Sequence, residues 1–92
     1  MNNLIKHFTY KPIVKRGLIG DKTEKHEFTT KLDEEVKEVY EAYTFKEKLS
    51  IHESEELMDV IFVCINMLIH YRINILKTFL FVYKKNKNRC TK

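Results

Sequence analysis

Apolar residues recur along this chain at helical intervals rather than in strict alternation. Leu32, Val36, Val39, Tyr40 and Tyr43 fall on one stripe of an amphipathic helix that is expected to start at Thr29 or Thr30, either of which can act as its N-cap. Glu35 and Glu38 border that stripe on one side, whereas Glu34, Lys37 and Glu41 point away from it. Ser50-Ile51-His52-Glu53 matches a capping box and predicts a second helix running to about His70. Its first turns are acidic, and beyond Val60 it is apolar almost all round, the pattern of a central helix with neighbours on every side. A turn at 71–74 leads into a third helix with Ile75, Leu76, Phe79, Leu80 and Val82 or Tyr83 on its apolar face, followed by a basic tail over 84–92. Before these helices, Leu4, Ile5 and Phe8 share a helical face that Pro12 interrupts, and 17–28 reads as a polar loop. The fold class expected is all-α, an antiparallel helical bundle.

Size and composition narrow this picture. The chain has 92 residues, enough for one domain over 1–92 with its helical core at about 29–70. So short a chain builds a marginal core, and a homodimer or homotetramer is expected to complete it. With 43% hydrophobic and 33% charged residues, two Gly and one Pro, collagen-like, low-complexity and wholly disordered classes are excluded. The net charge of +4 is unevenly spread: ten of the 13 acids lie between Asp33 and Asp59, and none follows Asp59. A basic face for nucleic acid is therefore not expected.

Residues 1–7 contain no apolar stretch of the signal-peptide kind, and the dense apolar run Val60–Ile69 is about half a bilayer span and includes Asn66, so no membrane partner is expected. Cys64 and Cys90 lie at no metal-ligand or disulfide-framework spacing, which fits a reducing, cytoplasmic setting. His7, His26, His52 and His70 are scattered and suit surface or capping roles; Cys64 and, at their helical spacing, Tyr40 and Tyr43 suit the core, with base stacking by Tyr40, Tyr43 or Phe45 as the alternative.

The candidate chemistry lies in two carboxylate pairs, Glu35-x-x-Glu38 on one helix and Glu56-x-x-Asp59 near the start of the next. Residues at i and i+3 are neighbours on a helix surface, so antiparallel packing of the two helices brings four carboxylates together. Their mutual repulsion calls for cations, and hard oxygen ligands select Mg²⁺ or Mn²⁺. The plainer reading is that these acids only solvate helix faces and first turns.

At these residues the chain resembles the MazG-like nucleotide pyrophosphohydrolases of the all-α NTP pyrophosphatase group. Asp33-Glu34-Glu35-Val36-Lys37-Glu38 is similar to the first half of that family's signature and Glu55-Glu56-Leu57-Met58-Asp59 to the second, with 17 residues between Glu38 and Glu56. Arg16-Gly17-Leu18-Ile19 and Lys84-Lys85-Asn86-Lys87-Asn88-Arg89 are similar to flanking features of the family. Lys37 and Met58 stand where relatives often carry small residues, and the stretch before the motifs is shorter and interrupted by Pro12.

The resemblance implies the all-α NTP pyrophosphatase fold and hydrolysis of a nucleoside triphosphate to the monophosphate and pyrophosphate. It implies Mg²⁺ held by Glu35, Glu38, Glu56 and Asp59, a general base at Glu35 or Glu38, and phosphate contacts from Lys84, Lys85, Asn86 and Arg89. The competing reading is a non-enzymatic helical interaction protein whose basic tail binds an acidic partner or nucleic acid.

Overall fold

The computed structural model describes residues 2–90 and contains five helices and, among the described residues, no strand: α1 (Asn2–Thr9), α2 (Lys11–Lys15), α3 (Lys25–Ala42), α4 (Ile51–His70) and α5 (Ile75–Cys90). The all-α class is as expected. Lys92 of the expected basic tail lies outside the described residues.

The local signals act where they are strongest. Ser50 caps α4, its hydroxyl accepting the Glu53 backbone N–H at 3.0 Å while the Glu53 carboxylate accepts the Ser50 N–H at 2.8 Å. The same carboxylate accepts the backbone N–H and the hydroxyl of Thr44, tying the α3–α4 loop to the start of α4. These backbone donors hold the Glu53 carboxyl below the usual range. Pro12 does not break a helix; it lies in the first turn of α2, where its missing N–H costs nothing. Gly17 closes α2 with φ of 77°: its N–H bonds to the Val14 carbonyl and that of Leu18 to the Ile13 carbonyl, a Schellman closure. The same closure ends α4, with Arg72 in the left-handed position that usually falls to glycine.

Helix α3 starts earlier than its apolar stripe suggests. Glu27 accepts the backbone N–H of Glu24, adding a turn that contains Phe28, and Thr29 and Thr30 lie inside the helix rather than at its cap. Phe28 is the most deeply buried residue, at 3% exposure, and with it the buried face turns about 60° around the helix, at 100° per residue, from the stripe read in the sequence. Glu35, two turns after Phe28, becomes buried, while Tyr40 at 76% exposure and Tyr43 at 60% face outward, against the core role expected of them. The Tyr43 ring meets the exposed Phe45 ring edge to face.

Helices α3 and α4 form the main packed pair. Phe28 near the start of α3 contacts His70 at the end of α4, and the acids farther along α3 meet those near the start of α4, so the pair is antiparallel. His70 is a structural node: its Nε2–H donates to the Thr23 carbonyl at 3.1 Å, and its Nδ1 is hydrogen-bonded to the Tyr10 hydroxyl at 2.9 Å. The Asn2 carboxamide bonds the Ile73 carbonyl and the Ile75 N–H, attaching α1 to the α4–α5 turn.

Helix α4 does not have neighbours on every side. Leu57, Ile61 and Cys64 form an exposed stripe, which corrects the core role expected for Cys64. The basic segment 84–89 is helical rather than a flexible tail: it contains no Gly or Pro, and its Lys and Arg residues favour helix although Asn86 and Asn88 do not. Every residue from Leu76 to Arg89 is exposed, and α5 packs only lightly on α4. Among the described residues no single helix is long and apolar enough to cross a membrane; α4 and α5 are bent by 117° at their junction.

Candidate metal centre

The antiparallel α3–α4 pair brings Glu35, Glu38 and Glu56 together, each offering a carboxylate oxygen within 4.8 Å of the others. Helical spacing places Glu35 beside Glu38, and helix packing adds Glu56 from across the interface. Glu35 is buried at 7% exposure and Glu56 is half-buried. Oε2 of each is buried and has no hydrogen-bond partner in the protein.

Glu35 Oε1 is partnered, 3.0 Å from Lys31 Nζ, whereas Glu56 Oε1 lies 3.8 Å from His52 Nδ1, beyond hydrogen-bond distance. A buried carboxylate oxygen without a donor is costly, and crowding three carboxylates compounds the cost. The crowding appears at Glu38, whose carboxyl is held above the usual range chiefly by the neighbouring Glu35 carboxylate and further by that of Glu56. The Lys31 ammonium is also held above its usual range, chiefly by its hydrogen bond to Glu35. A hard divalent cation fits this donor set: acceptor oxygens from three carboxylates, two of them otherwise unused.

Asp59, the fourth expected ligand, is not within the three-glutamate group. One turn beyond Glu56 on α4, it joins Glu35 in lining an adjoining cavity of about 700 Å³. The cavity is closed mainly by α2, the 17–24 loop, α3 and α4. Ile13, Leu18, Ile19, Phe28 and Phe62 supply apolar wall, and Arg16, His26 and Lys31 supply basic groups. Asn66 also lines it, buried at 5% exposure with its Oδ1 unpartnered.

The expected phosphate contacts Lys84, Lys85, Asn86 and Arg89 are placed on exposed α5, and none of them lines this cavity. Arg16 and Lys31 are the cations that do. Sequence reading overlooked Lys31 and Asn66, although each left a signal. Lys31 stands one turn before Glu35, and Asn66 interrupts an apolar run at two turns from Asp59, on the same face of α4.

The chain matches no protein-family model, no curated protein and no solved structure.

Proposed function

We propose that this chain is a Mg²⁺-dependent nucleoside triphosphate pyrophosphohydrolase with an all-α NTP pyrophosphatase fold, acting as a cytoplasmic homo-oligomer. The observation that carries the reading is the meeting of Glu35, Glu38 and Glu56 at the mouth of one interhelical interface, with two buried oxygens unpartnered, beside a cavity of ligand size that Glu35 also lines.

In this reading Glu35, Glu38 and Glu56 hold the cation, with Asp59 available from the cavity side. When bound, Mg²⁺ or Mn²⁺ neutralises phosphate charge and lowers the pKa of the attacking water. Glu38 is the better placed general base of the two candidates, because it is the exposed one of the pair. Glu35 is already committed through Oε1 to Lys31. Arg16 and Lys31 supply charged donors to phosphate oxygens from the cavity wall, and the apolar side near Phe28 and Phe62 takes the nucleoside.

The test is turnover of a panel of canonical nucleotides plus dUTP with Mg²⁺ or Mn²⁺, comparing wild type with Glu38→Gln and Glu56→Gln. The reading expects cation-dependent turnover that both variants lose. Equal release by wild type and variants, or none from any nucleotide, would count against it.

A further inference from the structure

We infer that the end of the fold where α1, the close of α4 and α5 meet docks on an anionic lipid surface, with α5 lying along the headgroup layer. The contact is peripheral: it needs an exposed, basic, amphipathic helix and not a spanning one. It does not rest on the functional reading.

Charge is divided along this chain. Residues 1–20 carry four Lys or Arg and residues 60–92 carry seven, with no Asp or Glu in either stretch; residues 21–59 hold all 13 acids and the other six cations. Folding turns that division into one in space. Asn2 ties the start of α1 to the α4–α5 turn and Tyr10 ties its end to His70, so the two acid-free stretches share the C-terminal end of α4. Glu56 lies 14 residues before His70 on the same helix, about 21 Å away at 1.5 Å per residue. The glutamate centre is therefore about two screening lengths from this end at 0.1 M salt. Asp21, Glu24 and Glu27 approach it through the Thr23 carbonyl on His70, but Lys22 and Lys25 offset two of the three.

Apolar surface coincides with the positive charge. On α5, Leu76, Phe79, Leu80 and Tyr83 are exposed on one side of the helix. Lys77, Lys84 and Lys85 flank or oppose that side, and Lys87 and Arg89 extend the charge beyond the last apolar turn. On α1, Leu4 and Phe8, one turn apart, are exposed as well.

This combination selects the occupant. A nucleic acid would neutralise the lysines and leave Leu76 and Leu80 in water, whereas the boundary between headgroups and acyl chains takes up an apolar helix side while anionic headgroups meet its cations. The α4–α5 corner adds donors of the kind that bind a lipid phosphate: Asn3, Arg72 and Asn74 line a recess there beside Leu76. Asn74 Oδ1 is taken by the Lys77 N–H at 3.0 Å, which leaves its amide nitrogen to donate.

Cosedimentation of the full chain with vesicles of phosphatidylcholine, alone or mixed with phosphatidylglycerol, tests this. Binding to the anionic vesicles and not to the neutral ones is expected, weakening as salt is added. Lys84→Glu with Lys85→Glu should reduce it more than tenfold, since each basic side chain near an anionic leaflet is worth about fivefold. Lys46→Glu with Lys48→Glu, in the α3–α4 loop at the other end of α4, changes net charge equally and should change binding little. The chain has no Trp, so Phe79→Trp supplies a lone reporter whose fluorescence should shift to the blue with anionic vesicles while circular dichroism stays helical. No binding to anionic vesicles, equal loss in the two lysine pairs, or an unshifted reporter overturns the proposal. So does a chain that binds a single-stranded oligonucleotide and not the vesicles. A dimer that ignores vesicles and that Phe79→Glu with Leu80→Glu converts to helical monomers overturns it too, because a second copy then covers α5. Nucleotide turnover enters none of these readouts, so an inactive chain that binds vesicles refutes the functional reading alone and an active one that ignores them refutes the docking alone.

Discussion

Lys31 Nζ lies 3.0 Å from Oε1 of Glu35, one helical turn away on α3, and this contact partners only half of a buried carboxylate. The other half, Oε2, is buried without a donor, in a residue that meets Glu38 and Glu56 at the interface. Among the described residues Lys31 is thus the fixed cation bonded to a crowded anionic group, and it leaves room for a second positive charge.

That arrangement predicts opposite responses from two neutralising changes. Mg²⁺ or Mn²⁺ should raise the melting temperature of the wild type, since binding to the folded state alone stabilises by linkage, about 2.7 kcal/mol at a hundred times Kd. Glu38→Gln should raise the cation-free melting temperature by relieving like-charge crowding, and should abolish the cation effect. Differential scanning calorimetry with and without cation reads both; a cation shift that survives in Glu38→Gln rejects the ligand role.

Lys31→Met should act in reverse. Losing the bond to Glu35 lowers the cation-free melting temperature, while the more negative site binds Mg²⁺ more tightly, so the cation-induced shift grows. Isothermal titration calorimetry checks the affinity. Weaker Mg²⁺ binding in the variant would mean that Lys31 positions Glu35 rather than competing with the cation.

The α4 cap predicts a pH dependence of definite sign. Glu53 is held below the ordinary glutamate value of 4.5 by the N–H groups of Ser50 and Thr44, so the folded state binds its proton less readily than the unfolded chain. Its stabilisation is complete above that ordinary value and is lost as pH falls through the lower, folded one. Urea denaturation of Glu53→Gln between pH 7 and pH 3 should show a shallower acid loss than wild type. Ser50→Ala should cost about 1 kcal/mol at neutral pH through the missing cap.

Arg72 offers a prediction independent of the site. It holds φ of 58°, where a side chain on Cβ costs roughly 1 kcal/mol, and its backbone N–H closes α4 on the Ile69 carbonyl. Arg72→Gly should raise stability in guanidinium by up to about 1 kcal/mol, partly offset by the greater freedom of glycine in the unfolded chain. Destabilisation would show that the Arg72 side chain contributes more than its conformation costs.

What was legible in the sequence was what neighbouring residues decide. Ser50 and Glu53 are three apart and complete their box within one turn, so the start of α4 could be read directly, as could the pairing of Glu35 with Glu38. The start of α3 was hidden because its cap uses Glu24, an uncommon capping residue, and because Lys25, His26 and Glu27 carry no apolar period. That hidden turn brought in Phe28 and rotated the buried face, which is why Glu35 is buried and Tyr40 is not. The place of Asp59 in the cavity wall, and the outward position of Lys84 to Arg89, depend on how whole helices pack and on what lies outside one chain; spacing carries no information on either.

The proposed cleavage of a nucleotide's α–β bond at the three-glutamate centre is read out by ³¹P NMR of the products. Wild-type protein with Mg²⁺ and the fastest nucleotide of the panel should give inorganic pyrophosphate and the nucleoside monophosphate in equal amounts, with none from Glu56→Gln. Orthophosphate and a diphosphate as products, or nucleotides that stay intact with both Mg²⁺ and Mn²⁺, would contradict the account.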